Sequence, residues 1–135
     1  MQHAVNNFIL IDDSRLDCFI SEKIIKNIDS THSVSSFSEA GEALRHIEST
    51  PATGNLNKTV ILLDIQMPVM NGFDFAEAFE KLPPQQKNDY AIFMVSSSTN
   101  ESDRIRMGNF PSIKQLYKKP LSKEVINQLI DQVYL

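Results

Sequence analysis

A single cysteine, Cys18, excludes an intrachain disulfide. A chain without a disulfide framework fits a reducing compartment, so a cytoplasmic location is expected. No stretch approaches the ~18 consecutive apolar residues of a membrane-spanning helix, and no membrane partner is expected. Basic residues never run together into a phosphate track. With a formal net charge of −4 and a pI near 5.3, nucleic-acid binding by bulk electrostatics is excluded too. The N-terminal MQHAVNN has neither a basic start nor a long apolar core, so no signal peptide is expected. Internal repeats and low-complexity segments are absent. His3, His32 and His46 are scattered, none at metal-ligand spacing, and are expected at the surface. What is present suits one folded unit: 135 residues, 41% of them hydrophobic, read as a single domain over 1–135 with its core at about 7–134 and no output domain.

Apolar runs alternate with helical periodicity. Phe8 to Ile11 form the first run, ending in Asp12, Asp13 and Ser14. Leu16, Phe19, Ile20, Ile24 and Ile28 then recur at spacings of three and four, which predicts one buried helix face, with Asp13 or Ser14 as its N-cap and Cys18 as a small core residue. A short, polar-interleaved strand over 31–37 reads as an edge strand. Ser38 reads as the N-cap of a second helix carrying Ala40, Ala43, Leu44 and Ile47. Pro51 and Gly54 mark 49–58 as a loop. Val60 to Leu63 form a run without alternation, as in a strand buried on both faces. A third helix is expected over 73–81, with Phe75, Ala76 and Phe79 inward, ended by Pro83 and Pro84. Ala91 to Val95 make another buried strand. Asn100 caps a short, charged helix, a weak strand covers 115–118, and Ser122 caps a last helix with Val125, Ile126, Leu129, Ile130 and Val133 on one face. Strand and helix alternate five times, which predicts an α/β fold, doubly wound around a parallel sheet.

In such a sheet the strand ends share one rim, where ligands collect. The first strand ends in Asp12 and Asp13, the third in Asp64 and the fourth in Ser96, and the fifth is followed by Lys119 and Pro120. Taken singly, the acidic pair reads as helix caps, Ser96 as a loop hydroxyl and Lys119 as a solvated lysine. Their joint placement points to chemistry. Three close carboxylates repel one another unless cations intervene. An all-oxygen site suits Mg²⁺, which keeps several waters and binds beside phosphate oxygens. A metal, a lysine and a hydroxyl around one carboxylate form a cradle for a phosphoryl group, with Asp64 as the nucleophile.

These residues resemble the receiver domain of two-component response regulators. The matching positions are Asp12-Asp13, Asp64 followed by Met67-Pro68 and Met70-Asn71-Gly72, Ser96 after its apolar strand, and Lys119-Pro120. The resemblance implies a flavodoxin-like (βα)5 fold with strand order 2-1-3-4-5. It implies that Asp64 accepts phosphate from a histidine kinase or a histidine phosphotransfer protein. It implies Mg²⁺ held by Asp13, Asp64 and the backbone carbonyl of Gln66, with Asp12 acting through water. Ser96 and Lys119 would contact the phosphoryl oxygens, the Lys119–Pro120 bond would be cis, and a downstream protein would read the 100–130 region. Gln66 and Ser98 occupy positions that tune phosphoryl lifetime in the family. The family's switch aromatic, three residues before the lysine, is replaced by Leu116, and strand alternation turns the neighbouring Tyr117 to the opposite face.

Two other functions compete with this reading. A phosphohydrolase with an aspartyl nucleophile needs an acid two residues after it to protonate the leaving group; Gln66 and, after Asp12, Ser14 cannot do so. A flavin or nucleotide module needs a phosphate-cradling loop after the first strand, where this chain has two aspartates.

Overall fold

A computed structural model of the protein describes residues 5–54, 57–98 and 100–133. The chain runs β1 (Asn7–Ile11), α1 (Arg15–Ile28), β2 (Ser33–Phe37), α2 (Ala40–Glu48), β3 (Thr59–Asp64), α3 (Gly72–Glu80), α4 (Pro84–Lys87), β4 (Tyr90–Ser96), α5 (Glu101–Met107), β5 (Ile113–Lys118) and α6 (Lys123–Gln132). The strands form one sheet in the order β2-β1-β3-β4-β5, and every pairing is parallel. This is the doubly wound, flavodoxin-like arrangement expected from the alternation and the resemblance.

Continuous apolar runs are required because β1, β3 and β4 are covered on both faces. Phe8, Leu10, Val60, Leu62, Phe93 and Val95 point to one face, where Ile25 of α1, Ile126 and Leu129 of α6 and its C-cap Val133 meet them. Ile9, Ile11, Ile61, Leu63, Ile92 and Met94 point to the other, under α2 and α3. β2 lies at an edge, as its polar pattern predicts. Leu116 joins the α2/α3 core while Tyr117 packs on the opposite one, so alternation separates the two residues as expected. Among the described residues no helix is long and apolar enough to cross a membrane.

Four expectations need correction. In α1, Leu16, Phe19 and Ile20 are 66%, 59% and 41% exposed; Ile25 is the fully buried residue, with Cys18, Ile24 and Ile28 half-buried at the margin. Spacings of three and four fit two overlapping arcs of this helix, and the arc facing inward is the one that carries Asp17, Cys18, Ser21 and Ile25. His32 is buried, its ring centroid 5.2 Å from that of Phe8; His46 is exposed as expected, and His3 lies outside the described residues. The N-cap of α2 is Glu39 rather than Ser38, without a side-chain cap bond. After α3 ends, Pro84 opens a further single turn, α4, since proline suits a first helical position.

Candidate functional site

The site is assembled from strand ends. Leu63 and Asp64 lie beside Ile11 and Val95 in neighbouring strands, so the segments following β1, β3 and β4 emerge side by side. Asp12 is buried just past β1; its N–H donates to the Phe37 carbonyl and its Oδ1 accepts from the Ser14 N–H at 2.9 Å. Ser14 in turn caps α1, its Oγ accepting from the Asp17 N–H. Asp12 therefore has a local structural use and a place on the rim together. One carboxylate oxygen from each of Asp12, Asp13 and Asp64 falls within a 4.8 Å cluster, with Asp12 and Asp64 buried and Asp13 exposed.

Asp64 occupies the last position of β3 and is 6% exposed. Its Oδ1 accepts from the Gln66 N–H at 3.3 Å. Burial, then the charge of Asp12, push its carboxyl up to about 6, against the opposing pull of Lys119 and the Gln66 N–H. The chain then turns back sharply. The Gly72 N–H donates to the Ile65 carbonyl at 2.9 Å, and a Cβ at Gly72 would lie 2.7 Å from the Asp64 carbonyl oxygen and 2.9 Å from the Ile65 Cα. Those contacts are with backbone, so only glycine lets α3 start this close to the strand end. Asn71 caps α3 through a reciprocal pair of bonds with Asp74, which fixes the exit from the turn.

Ser96 is fully buried at the end of β4. Its Oγ donates to the Ser98 carbonyl at 2.9 Å and accepts from the Ser98 N–H at 3.2 Å. Its own carbonyl accepts from the Lys119 N–H at 2.8 Å, tying the two strand ends together. The Lys119–Pro120 peptide is cis.

Lys119 reaches back to the acids. Its Nζ lies 2.6 Å from Asp12 Oδ2, 3.0 Å from Asp17 Oδ2 and 3.5 Å from Asp64 Oδ2. Burial works against its charge, but hydrogen bonds to Asp12 and Asp17 and the nearby carboxylates outweigh that, so its pKa is raised. Asp17 is the member that sequence reasoning missed. It stands three residues after the capping Ser14, in the first turn of a helix that begins on this rim, a signal hidden by reading the exposed arc of α1 as its inner face. Beside these groups a cavity of about 260 Å³ runs between α1 and the start of α6, lined by Cys18, Ile20, Leu62, Val95 and Leu121 among others. Burial, then Asp12, raise the Cys18 thiol above its ordinary value, which fits an unreactive packing role.

Asp12, Asp13 and Lys119 thus meet Asp64 at the carboxyl edge of a parallel sheet, with Asp17 on the lysine and Ser96 tied to it through backbone. Residues 8–131 match the family model of the response regulator receiver domain. The solved structure of a response regulator receiver protein from Dyadobacter fermentans is 36% identical and covers 95% of this chain and 97% of its own, with a TM-score of 0.83. A receiver domain of a sensor histidine kinase from Pseudomonas aeruginosa, described with a magnesium ion coordinated in its active-site cleft, shares the fold at 15% identity, covering 96% of this chain and 98% of its own, with a TM-score of 0.76. A protein-glutamate methylesterase/protein-glutamine glutaminase from Rhizobium etli is 40% identical over 73 residues, 54% of this chain and 19% of that protein. The chain spans between 14% and 23% of the length of the curated relatives it matches. A family match over nearly the whole chain thus coincides with the sheet order and rim described above: the chain belongs to the response regulator receiver domain family.

Proposed function

We propose that the protein is a phosphoacceptor switch in which Asp64 takes a phosphoryl group from a phosphohistidine of a histidine kinase or histidine phosphotransfer protein. The observation that carries this reading is the placement of Asp64: a buried strand-end carboxylate, clustered with Asp12 and Asp13, whose Oδ2 lies 3.5 Å from the Lys119 ammonium. An Asp64 oxygen forms a bond to phosphorus as the phosphorus–nitrogen bond of the donor breaks; the electron pair returns to the imidazole, which takes a proton from solvent. Lys119 meets one phosphoryl oxygen. Ser96 meets another by turning its O–H away from the Ser98 carbonyl.

The donor set fits a divalent cation. Three carboxylates with an upward-shifted Asp64 carry negative charge that Lys119 leaves incompletely offset. Mg²⁺ held by Asp13, Asp64 and the Gln66 backbone carbonyl, with Asp12 through water, would neutralise charge as the phosphoryl group arrives. Gln66 offers no acid to protonate a leaving group, which favours a switch over a phosphohydrolase.

The phosphorylated state then alters a contact with a downstream protein through the 100–130 region, or passes phosphate along a relay in the cytoplasm. Ser96 and Lys119 are joined through backbone, so a reoriented hydroxyl pulls on the end of β5, and α5 presents an exposed Ile105 nearby. With leucine at position 116, buried in the core, the report travels without an aromatic rotation on β5.

The test is to incubate the protein with Mg²⁺ and acetyl phosphate and measure intact mass. One added phosphoryl group is expected, absent in Asp64→Asn and absent with a chelator. No adduct from either acetyl phosphate or a phosphorylated histidine donor sinks the reading.

A further inference from the structure

We propose that Asp17 is a positioning residue that holds the Lys119 ammonium on the α1 side of the site, setting how the lysine is divided between the acidic cluster and an incoming phosphoryl group. The inference rests on the phosphoacceptor reading of Asp64. The ammonium does not sit centrally over Asp64: it is nearest Asp12, at 2.6 Å, then Asp17, at 3.0 Å, and farthest from Asp64, at 3.5 Å. Asp17 can do this because the Ser14 cap fixes the first turn of α1, and the Asp17 N–H is the group that Ser14 holds. The rotation of α1 that leaves Leu16, Phe19 and Ile20 outside is the same rotation that brings Asp17 to the lysine.

Two consequences of opposite sign follow. Asp12 Oδ2, the oxygen closest to the ammonium, belongs to the carboxylate cluster that suits a cation. By sharing the lysine, Asp17 keeps it from settling fully on Asp12 and Asp64, and so favours cation binding. A phosphoryl group on Asp64, by contrast, must draw the lysine away from Asp17. Asp17 therefore assists the cation and competes with the phosphate. Removing its charge weakens the first and eases the second.

The experiment is a double-mutant cycle on Mg²⁺ affinity, read by titration calorimetry on wild type, Asp17→Asn, Lys119→Met and the double variant. It is run in roughly 0.5 M KCl, where a Debye length of about 4 Å suppresses the through-space effect of one charge. With Lys119 present, Asp17→Asn is expected to weaken Mg²⁺ binding roughly fivefold. In the Lys119→Met background the same change should move it less than about twofold. At saturating Mg²⁺, Asp17→Asn should take phosphate from acetyl phosphate roughly threefold faster, because the lysine no longer has to be drawn away from Asp17. Asp17→Glu, which keeps the charge, should restore wild-type behaviour in both assays. A structural defect would slow the reaction and lower the melting temperature without this split. Equal loss of Mg²⁺ affinity in both lysine backgrounds, or, where the wild type does form the adduct, an unchanged or slower reaction in Asp17→Asn, overturns the proposal. A wild type that binds Mg²⁺ with the expected cycle yet never forms an adduct rejects the phosphoacceptor reading and leaves the clamp standing.

Discussion

Helices α1 and α6 lie on the same face of the sheet, yet α6 sends Ile126, Leu129 and its C-cap Val133 fully into the core, while α1 sends only Ile25 and leaves Leu16, Phe19 and Ile20 in solvent. Both begin on the rim, and both are capped by a serine whose Oγ accepts an N–H from the first turn, Ser14 for α1 and Ser122 for α6. The difference lies in what the first turn must deliver. α6 has an apolar face to place. α1 carries Asp17, which reaches the half-buried lysine at 3.0 Å. A helix with apolar residues on two arcs can bury either one. Here the inward arc is the one that also satisfies the ammonium, because a cation in a poorly solvated site requires carboxylate partners.

The strongest way to break this comparison is to truncate the residue each helix buries. Ile25→Ala and Leu129→Ala should each destabilise the fold by about 2–4 kcal/mol, read as a shift in urea midpoint at constant slope. If Ile25→Ala were nearly silent, α1 would not be held by the core at all.

A second prediction concerns the rim that α1 serves. Asp64 has a folded pKa of about 6, raised from 3.8. A raised value means that the fold tolerates the protonated form better than the ionised one. The stability linked to Asp64 is therefore complete below the unfolded pKa and is lost as pH rises through about 6. In metal-free buffer, Asp64→Asn should be more stable than wild type at pH 7–8 by roughly 1–2 kcal/mol, with the gap closing towards pH 4. Thermal melts across that range read it directly, and added Mg²⁺ should raise the melting temperature of the wild type alone.

The smallest effect belongs to the exposed arc. Leu16→Ser and Phe19→Ser should each change stability by no more than about 0.5 kcal/mol. Phe19 loses its contact with the Lys23 ammonium, 5.2 Å from the ring centroid. A loss comparable to that of Leu129→Ala would show that the outward arc carries weight in the folded state.

Much of the fold was legible because parallel strands buried on both faces announce themselves as uninterrupted apolar runs, as β1, β3 and β4 do. The rim was legible for the same reason: a polar residue ending such a run, like Asp64 or Ser96, has to emerge at one edge of the sheet. What the residues did not announce was rotation and reach. Periodicity reports that α1 has an apolar stripe, not which of two stripes faces inward, and so it concealed Asp17. The burial of His32 depends on the Phe8 ring and the Ile25 carbonyl, contacts across the fold. The turn of α4 was masked by a Pro-Pro pair that reads as a stop, although the second proline is well placed to begin a helix. Gln86 of that turn donates to the Ile47 and Thr50 carbonyls, near the end of α2, a partnership between segments far apart in sequence.

Gly72 bears on how this segment can vary over time. Any side chain there would meet the backbone of Asp64 and Ile65 rather than a yielding side chain, so no neighbouring substitution could make room for it. Gln66, Pro68 and Val69 of the turn face solvent, while the separation between the Asp64 backbone and the start of α3 is a fixed length. Where the carboxylate stands is thus set by backbone packing rather than by what the turn displays.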